Sequence, residues 1–277
     1  MAEGPIGARE RRLAGGNLSK VSKVGSTVRR PAGPHTSAVH ALLAHVRAAG
    51  FEGAPEPLGI DERGREVLGY VCGRIHLPQR DGPLGTDAAV AAAGRLLRAF
   101  HDASATFGPL RNARWNLALA GSAALAWEQL SPVVLCHNDA AVWNLVVHRR
   151  RPPALIDWDF AAPAPRIWDL ASMARSLAPL LRAKARRALG WPDDDEVGRR
   201  LRLLVDAYGA TQAERAALID ATIARAQTDL RYGHHALAAG DPAWELMNRR
   251  GRLRDNKEDA VDLVAMRAFW TTQLSSD

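Results

Sequence analysis

The stretch from Val133 to Phe160 holds the residues most able to do chemistry: His137, Asp139, Asn144 and Asp157. Leu145 to His148 reads as an apolar strand, Arg149-Arg150-Arg151-Pro152-Pro153 as a turn, and Ala154 to Ile156 as a returning strand. A hairpin of that kind brings its two ends together. Asn144 and Asp157 are therefore expected side by side, with Asp139 on the loop that enters the first strand. A carboxylate beside an amide oxygen is a hard, all-oxygen donor set, suited to Mg²⁺ whose other positions phosphate oxygens fill. The remaining carboxylate can accept the proton of an attacking hydroxyl. That is the chemistry of phosphoryl transfer, which runs mainly on positioning and charge neutralisation. Taken singly, each aspartate is more often a helix cap or a solvated turn residue; it is the joint spacing that points to a site. Asp159 is as well explained by an ordinary turn as by a second metal contact.

Other elements must position this hairpin. Residues 13 to 30 carry short apolar runs broken by Gly15-Gly16 and Gly25-Ser26, which predicts two or three antiparallel strands. Val39, Leu42, Leu43, Val46 and Ala49 follow a helical period, and Gly50 is a plausible stop. Leu58 to Ile60 and Glu66 to Val71 flank Asp61-Glu62-Arg63-Gly64, a second hairpin signature. After Gly73 the character changes to a loop rich in Pro and Gly and then to helices: one from about Asp87, one with the stripe Leu201, Leu204, Val205 and Tyr208, and one with Ile219, Ile223, Ala226 and Leu230. Val261, Val264, Ala265 and Ala268 mark a last helix, and Asp193 to Glu196 reads as a helix N-terminus, where acids suit the dipole. The expected class is α+β, a small antiparallel sheet lobe followed by a larger, mainly helical lobe. Trp168, Trp191, Trp244 and Trp270 are expected in the core rather than on a cleft wall.

The 277 residues are 47% apolar and 24% charged, which excludes wholesale disorder, a collagen-like chain, a coiled-coil rod and a disulfide-stapled miniprotein. A net charge of +7 favours anionic partners. Lysine stands only at Lys20, Lys23, Lys184 and Lys257, so nearly all the positive charge is arginine, which fits a GC-rich genome better than a nucleic-acid surface. Cys72 and Cys136 form no metal or disulfide pattern. With no signal-peptide pattern and no long apolar span, a cytoplasmic protein without membrane or nucleic-acid partners is expected.

The motif His137-x-Asp139-x4-Asn144, followed by Ile156-Asp157, resembles the catalytic and metal-binding motifs of the aminoglycoside phosphotransferases, small-molecule members of the protein-kinase-like fold. Cys136 to Asn144, Ile156 to Phe160 and Trp168-Asp169-Leu170-Ala171 are similar to a broad group of phosphotransferase enzyme family proteins, and Arg30-Pro31-Ala32-Gly33-Pro34 with the helix after it extends the likeness over most of the chain. The resemblance implies a two-lobed protein-kinase-like fold, with residues 1–73 as the nucleotide-binding lobe and 74–277 as the helical lobe that carries the catalytic and metal loops and the acceptor cleft. It implies Asp139 as catalytic base, Asn144 and Asp157 as Mg²⁺ ligands, and His137 and Asp169 as supports of the catalytic loop. ATP, with GTP as the alternative donor, would meet Gly16, Asn17 and Ser19 in a phosphate-covering loop, Arg30 on the third strand, and Tyr70 and Val71 at the interlobe connection.

Two departures from the family pattern stand out. The third-strand lysine is absent; by strand alternation Arg30 takes its place and Arg29 faces the other way. No Asp or Glu stands between Arg30 and Glu52, so the next helix lacks the usual acidic partner. His40 or His35 could reach that neighbourhood, with an exposed helical histidine as the expectation for His40. The function expected first is an ATP- and Mg²⁺-dependent phosphotransferase acting on a hydroxyl of a small molecule, an aminoglycoside-like antibiotic or another metabolite. The alternatives are a kinase of peptide Ser or Thr in a biosynthetic pathway and a nucleotide-binding pseudokinase scaffold. The oligomeric state and the acceptor are not legible in the sequence.

Overall fold

The computed structural model describes residues 10–13, 21–108 and 113–275. Gly16, Asn17 and Ser19, expected to cover the phosphates, lie outside the described residues.

Three short strands open the chain: β1 (Arg11–Arg12), β2 (Ser22–Val24) and β3 (Thr27–Pro31). Helix α1 (Thr36–Ala48) follows, then β4 (Pro57–Ile60) and β5 (Arg65–Gly69). The five strands form one antiparallel sheet in the order β1-β2-β3-β5-β4. The β4–β5 turn is fixed by Asp61, whose Oδ1 accepts from the backbone N–H of Arg63 (3.0 Å) and Arg65 (2.9 Å), with Gly64 at φ +70°. The pairing of β3 with β5 puts Arg30 opposite Glu66. Helix α1 buries Val39, Leu42, Leu43 and Val46, as its period predicts, and ends ahead of Gly50 at φ +89°.

Past Gly69 the chain leaves this sheet and at β6 (Arg74–Ile75) joins another. Helix α2 (Asp87–Ser104) is capped by Thr86, whose side chain accepts from the Ala89 N–H. After the short α3 (Gly121–Leu125) come β7 (Val133–Cys136), a 3₁₀ turn at Val142–Asn144, β8 (Leu145–His148), β9 (Arg151–Leu155) and β10 (Ala162–Pro165). These make two small antiparallel sheets, β10-β7 and β6-β8-β9. The remainder is helical: α4 (Arg166–Leu177), α5 (Ala183–Ala188), α6 (Asp194–Tyr208), α7 (Gln212–Ala238), α8 (Pro242–Arg249), α9 (Arg252–Ala265) and α10 (Arg267–Ser275). The architecture is the expected two-lobed α+β one. Its core runs from the buried face of α1 through α2, α4 and α6 to α7, and Trp168, Trp191, Trp244 and Trp270 are all buried. Helices α2 and α6 approach closely at Gly94, where a Cβ would lie 2.7 Å from the Leu204 carbonyl oxygen. Among the described residues, no helix is long and apolar enough to cross a membrane.

Two expectations are corrected. The turn between β8 and β9 is only Arg149-Arg150; Arg151, Pro152 and Pro153 already belong to β9. Prolines fit there because β9 is the edge of its sheet, where a missing N–H costs no ladder bond. At the C-terminus, Val261 and Val264 are 63% and 50% exposed, and α9 instead buries Leu253, Asn256, Ala260 and Leu263. Both stripes obey the helical period one position apart, and apolar character alone does not phase the helix. Ala268 lies beyond a break, in α10.

Candidate active site

One side of the site is built around Asp169, in the first turn of α4. This fully buried carboxylate accepts the backbone N–H of His137 at Oδ2 (2.7 Å) and of Asn138 at Oδ1 (2.7 Å). His101 of α2 reaches the same Oδ2 at 3.1 Å. Burial pushes the Asp169 pKa up, but the His101 hydrogen bond, the neighbouring histidines and the backbone donors outweigh it, and the group stays below its ordinary value. The loop is thereby held with Asn138 at φ +60°. Asparagine is among the few residues that tolerate this conformation, and its Nδ2 also donates to the carbonyls of Phe160 (3.0 Å) and Ala162 (3.1 Å). His137 is buried, with Nε2 3.0 Å from the Ile156 carbonyl oxygen and its ring 4.5 Å from that of Trp158. It braces the loop against the strand that leads to Asp157. Asn138 was not singled out in the sequence; an Asn beside Asp where a loop needs positive φ was the available signal.

Asp139 follows the strained Asn138. Its Oδ2 accepts from Asn144 Nδ2 (2.8 Å) and Trp143 Nε1 (3.2 Å), and Arg225 of α7 lies 3.7 Å from Oδ1. Burial, opposed by Arg225 and the hydrogen bonds, raises its pKa to about 6. At neutral pH the carboxylate is thus ionised yet poised to take a proton. Asn144 spends its amide N–H groups on the Asp139 carbonyl (2.9 Å) and carboxylate, which leaves its amide oxygen as the free donor atom. The Ile156 N–H donates to the Asn144 carbonyl (2.9 Å), closing the open end of the β8–β9 hairpin next to Asp157. Asp157 stands at φ +65° with its side chain 48% exposed. Asp139, Asn144 and Asp157 therefore converge as the spacing predicts.

The other side is built from the five-stranded sheet. Arg30 is buried on β3 and its guanidinium is spread over three carboxylates: Nε to Glu66 Oε2, Nη1 to Asp157 Oδ1 at 3.0 Å, and Nη2 to Asp159 Oδ1 at 2.6 Å. Burial alone would lower its pKa; Asp159, Glu66 and Asp157 together raise it. Arg29, as alternation requires, turns to Asp61 at 3.5 Å. The acidic partner missing from the helix is supplied by the adjacent strand, as Glu66. His40 of α1 is not an exposed helical residue: its Nε2 lies 2.9 Å from Glu66 Oε1. The carboxyl of Glu66, pushed up by burial, is held below its ordinary pKa by His40 and Arg30. His35 reaches Asp159 at 3.5 Å. Glu66 went unrecognised in the sequence, although a carboxylate beside Val67 and Leu68 in a strand next to Arg30 was a readable cue. Tyr70 lines a recess with Cys72, Gly73, Arg74 and Val147; Val71, in the same connection, does not line it.

The donor set fits a divalent cation. Asp157 keeps a solvent-facing carboxylate, Asn144 a free amide oxygen, and both are hard oxygen donors. On the α7 side, Trp143 and Arg225 meet Asp139, and Phe160 packs on Tyr232 (5.4 Å between rings), which packs on the buried Trp244 (5.8 Å).

Residues 113–204 match the family model described as the phosphotransferase enzyme family. A curated relative, the trifolitoxin immunity protein of Rhizobium leguminosarum bv. trifolii, is 33% identical over 219 residues, 78% of this chain and 80% of the relative. Among solved structures, an amicoumacin kinase in complex with AMP-PNP and Ca²⁺ superimposes with TM-score 0.65 at 14% identity, covering 91% of this chain and 87% of that one. A choline/ethanolamine kinase family protein from Mesorhizobium loti gives TM-score 0.61 at 19% identity, covering 94% and 93%.

Proposed function

This chain belongs to the phosphotransferase enzyme family, and on that premise we propose that it moves the γ-phosphoryl group of ATP to a hydroxyl of a small molecule. The observation that carries the reading is that Asp139 and Asn144 are joined beside Asp157, which in turn meets the buried Arg30. Asp139, with its pKa raised to about 6, takes the proton of the acceptor hydroxyl as its oxygen bonds to phosphorus and the bond to the ADP oxygen breaks. Asn144 and Asp157 would hold Mg²⁺, which when bound neutralises phosphate charge. Arg30 offers a planar, bidentate donor to phosphate oxygens in place of a lysine, and Glu66 and His40 hold it there. His137 and Asp169 keep the loop in shape.

We take residues 1–73 as the nucleotide lobe and 74–277 as the lobe of catalysis and acceptor binding. In support, the chain leaves the five-stranded sheet at Gly69 and joins β8 at Arg74. Tyr70 and Val71, between the two, are the connection against which we place the base. GTP is the alternative donor. The name of the 33% relative favours a protective role, in which the acceptor is a toxic compound inactivated by phosphorylation. A non-catalytic scaffold is disfavoured because it would have no need to keep Asp139, Asn144 and Asp157 together.

The test is thermal stabilisation by ATP and by GTP with and without Mg²⁺, followed by ADP release against a panel of hydroxylated compounds. Asp139→Asn should keep nucleotide stabilisation and lose turnover. Asp157→Ala should lose the Mg²⁺-dependent part of the stabilisation. Absence of stabilisation by either nucleotide overturns the reading, as does full turnover by Asp139→Asn.

A further inference from the structure

The wall of the cleft beyond Asp139 is cationic. Arg175 of α4 and Arg225 of α7 share Asp229: Arg175 Nη1 binds Oδ2 at 2.9 Å, and Arg225 Nη1 binds Oδ1. Arg225 also donates to the Asn138 carbonyl at 2.6 Å and faces Asp139. A third guanidinium, that of Arg252 at the start of α9, lies over the Trp143 ring, 5.5 Å from its centroid. Trp143 is itself 40% exposed and bonded to Asp139. Three arginines thus stand against two carboxylates around the proposed base.

Arg252 is the one left over: among the described residues it has no ion-pair partner. The acids that could neutralise it are committed elsewhere. Asp255 and Asp259 are held by Arg182 at 3.0 and 2.7 Å. Asp241, near Tyr232, caps α8 by accepting the N–H groups of Ala243 (2.8 Å) and Trp244 (3.0 Å). A polycationic acceptor would add positive charge to a wall that already carries three guanidinium groups.

We propose that the acceptor carries a carboxylate near the hydroxyl to be phosphorylated, and that Arg252, stacked on Trp143, is the specificity residue that binds it. The inference rests on the phosphotransferase reading for the word acceptor, but not for the anion site itself. A carboxylate seated between Arg252 and the Trp143 edge would satisfy the unpaired guanidinium and bring a neighbouring hydroxyl to Asp139.

Two matched sets test it: glycerate, glycerol and serinol, and glucuronate, glucose and glucosamine. Each is measured first by thermal stabilisation of the nucleotide-free protein, then by ADP release with ATP and Mg²⁺. The acid of at least one set should stabilise the protein more than its neutral and amine counterparts. Arg252→Gln should cut that acid-over-neutral preference about tenfold, the scale of one charge-assisted hydrogen bond. Arg252→Lys should restore part of it, and Arg252→Glu should turn it toward the amine. Arg252 is exposed on its helix, so these variants should keep the wild-type Tm without probes. Equal shifts within both sets, none included, overturn the proposal, as does a preference that Arg252→Gln leaves intact. Acid-selective stabilisation without ADP release from any probe or from the hydroxylated panel would instead count against phosphoryl transfer and leave the anion site standing.

Discussion

The two sides of the cleft are assembled by different means. On the catalytic side, the single carboxylate of Asp169 takes two adjacent backbone N–H groups and so fixes His137, Asn138 and Asp139 in sequence. On the sheet side, Arg30 is fixed by Glu66, Asp157 and Asp159, with His40 holding Glu66, so the set is drawn from three stretches of chain far apart in sequence. The first arrangement centres on one carboxylate, with side-chain braces from His137, Asn138 and Arg225 around it. The second is distributed, and each member has a neighbour that can compensate. Damage should therefore be all-or-none on the catalytic side and graded on the sheet side.

Removing the anchor should give the largest effect. Asp169→Ala orphans two buried N–H groups and His101, and should cost about 3–5 kcal/mol of stability, read by urea unfolding; a loss no larger than that of an exposed aspartate would show that the loop holds itself. On the sheet side, Arg30→Gln and Glu66→Gln should each weaken nucleotide binding. A double-mutant cycle should give a coupling of about 1–3 kcal/mol, read by titration with ATP. Additive losses would mean that Glu66 is not the partner of Arg30 in the working enzyme.

The carboxylates on the two sides should also respond oppositely to pH. Asp139 has its folded pKa raised above the ordinary value to about 6, so its stabilising protonated form is lost as pH rises through that value. Asp139→Asn should be more stable than the wild type at neutral pH by about 1–3 kcal/mol, with the advantage shrinking as pH falls toward the ordinary carboxylate range. Glu66 has its folded pKa lowered, so its contribution is present above the ordinary glutamate value and is lost as pH falls through the folded one. Glu66→Gln should therefore lose stability at neutral pH and converge on the wild type in acid. Chemical denaturation of the metal-free proteins across pH reads both, and parallel curves would refute the contrast. The smallest effect is expected from His40→Ala, about 1 kcal/mol, measured as a shift in Tm.

How much could be read from the sequence follows the same division. The convergence of Asp139, Asn144 and Asp157 was legible because it is written in short spacings: Asp139 to Asn144 within one turn and strand, and Asp157 one hairpin away. The β4–β5 turn was legible too, since Asp61 and Gly64 leave few alternatives. Glu66 was legible only as a carboxylate in an apolar strand; that it faces Arg30 depends on the register of β3 on β5, two strands separated in the chain by α1 and β4. The helix stripe at Val261 and Val264 failed for a related reason: its phase is set by what α9 packs against, not by its own residues. The anion-facing Arg252 is unreadable among so many arginines, since only the packing shows which of them are paired.

The placement of Glu66 has a consequence for control. Arg30 and Glu66 sit opposite each other in two hydrogen-bonded strands, so their ion pair belongs to the sheet and moves with it as a rigid body. Among the described residues, His40 alone hydrogen-bonds α1 to that pair. A displacement of α1 would break one hydrogen bond and leave the arginine anchored. In the proposed function, the group that meets phosphate is thus positioned by the sheet itself rather than by the helix beside it.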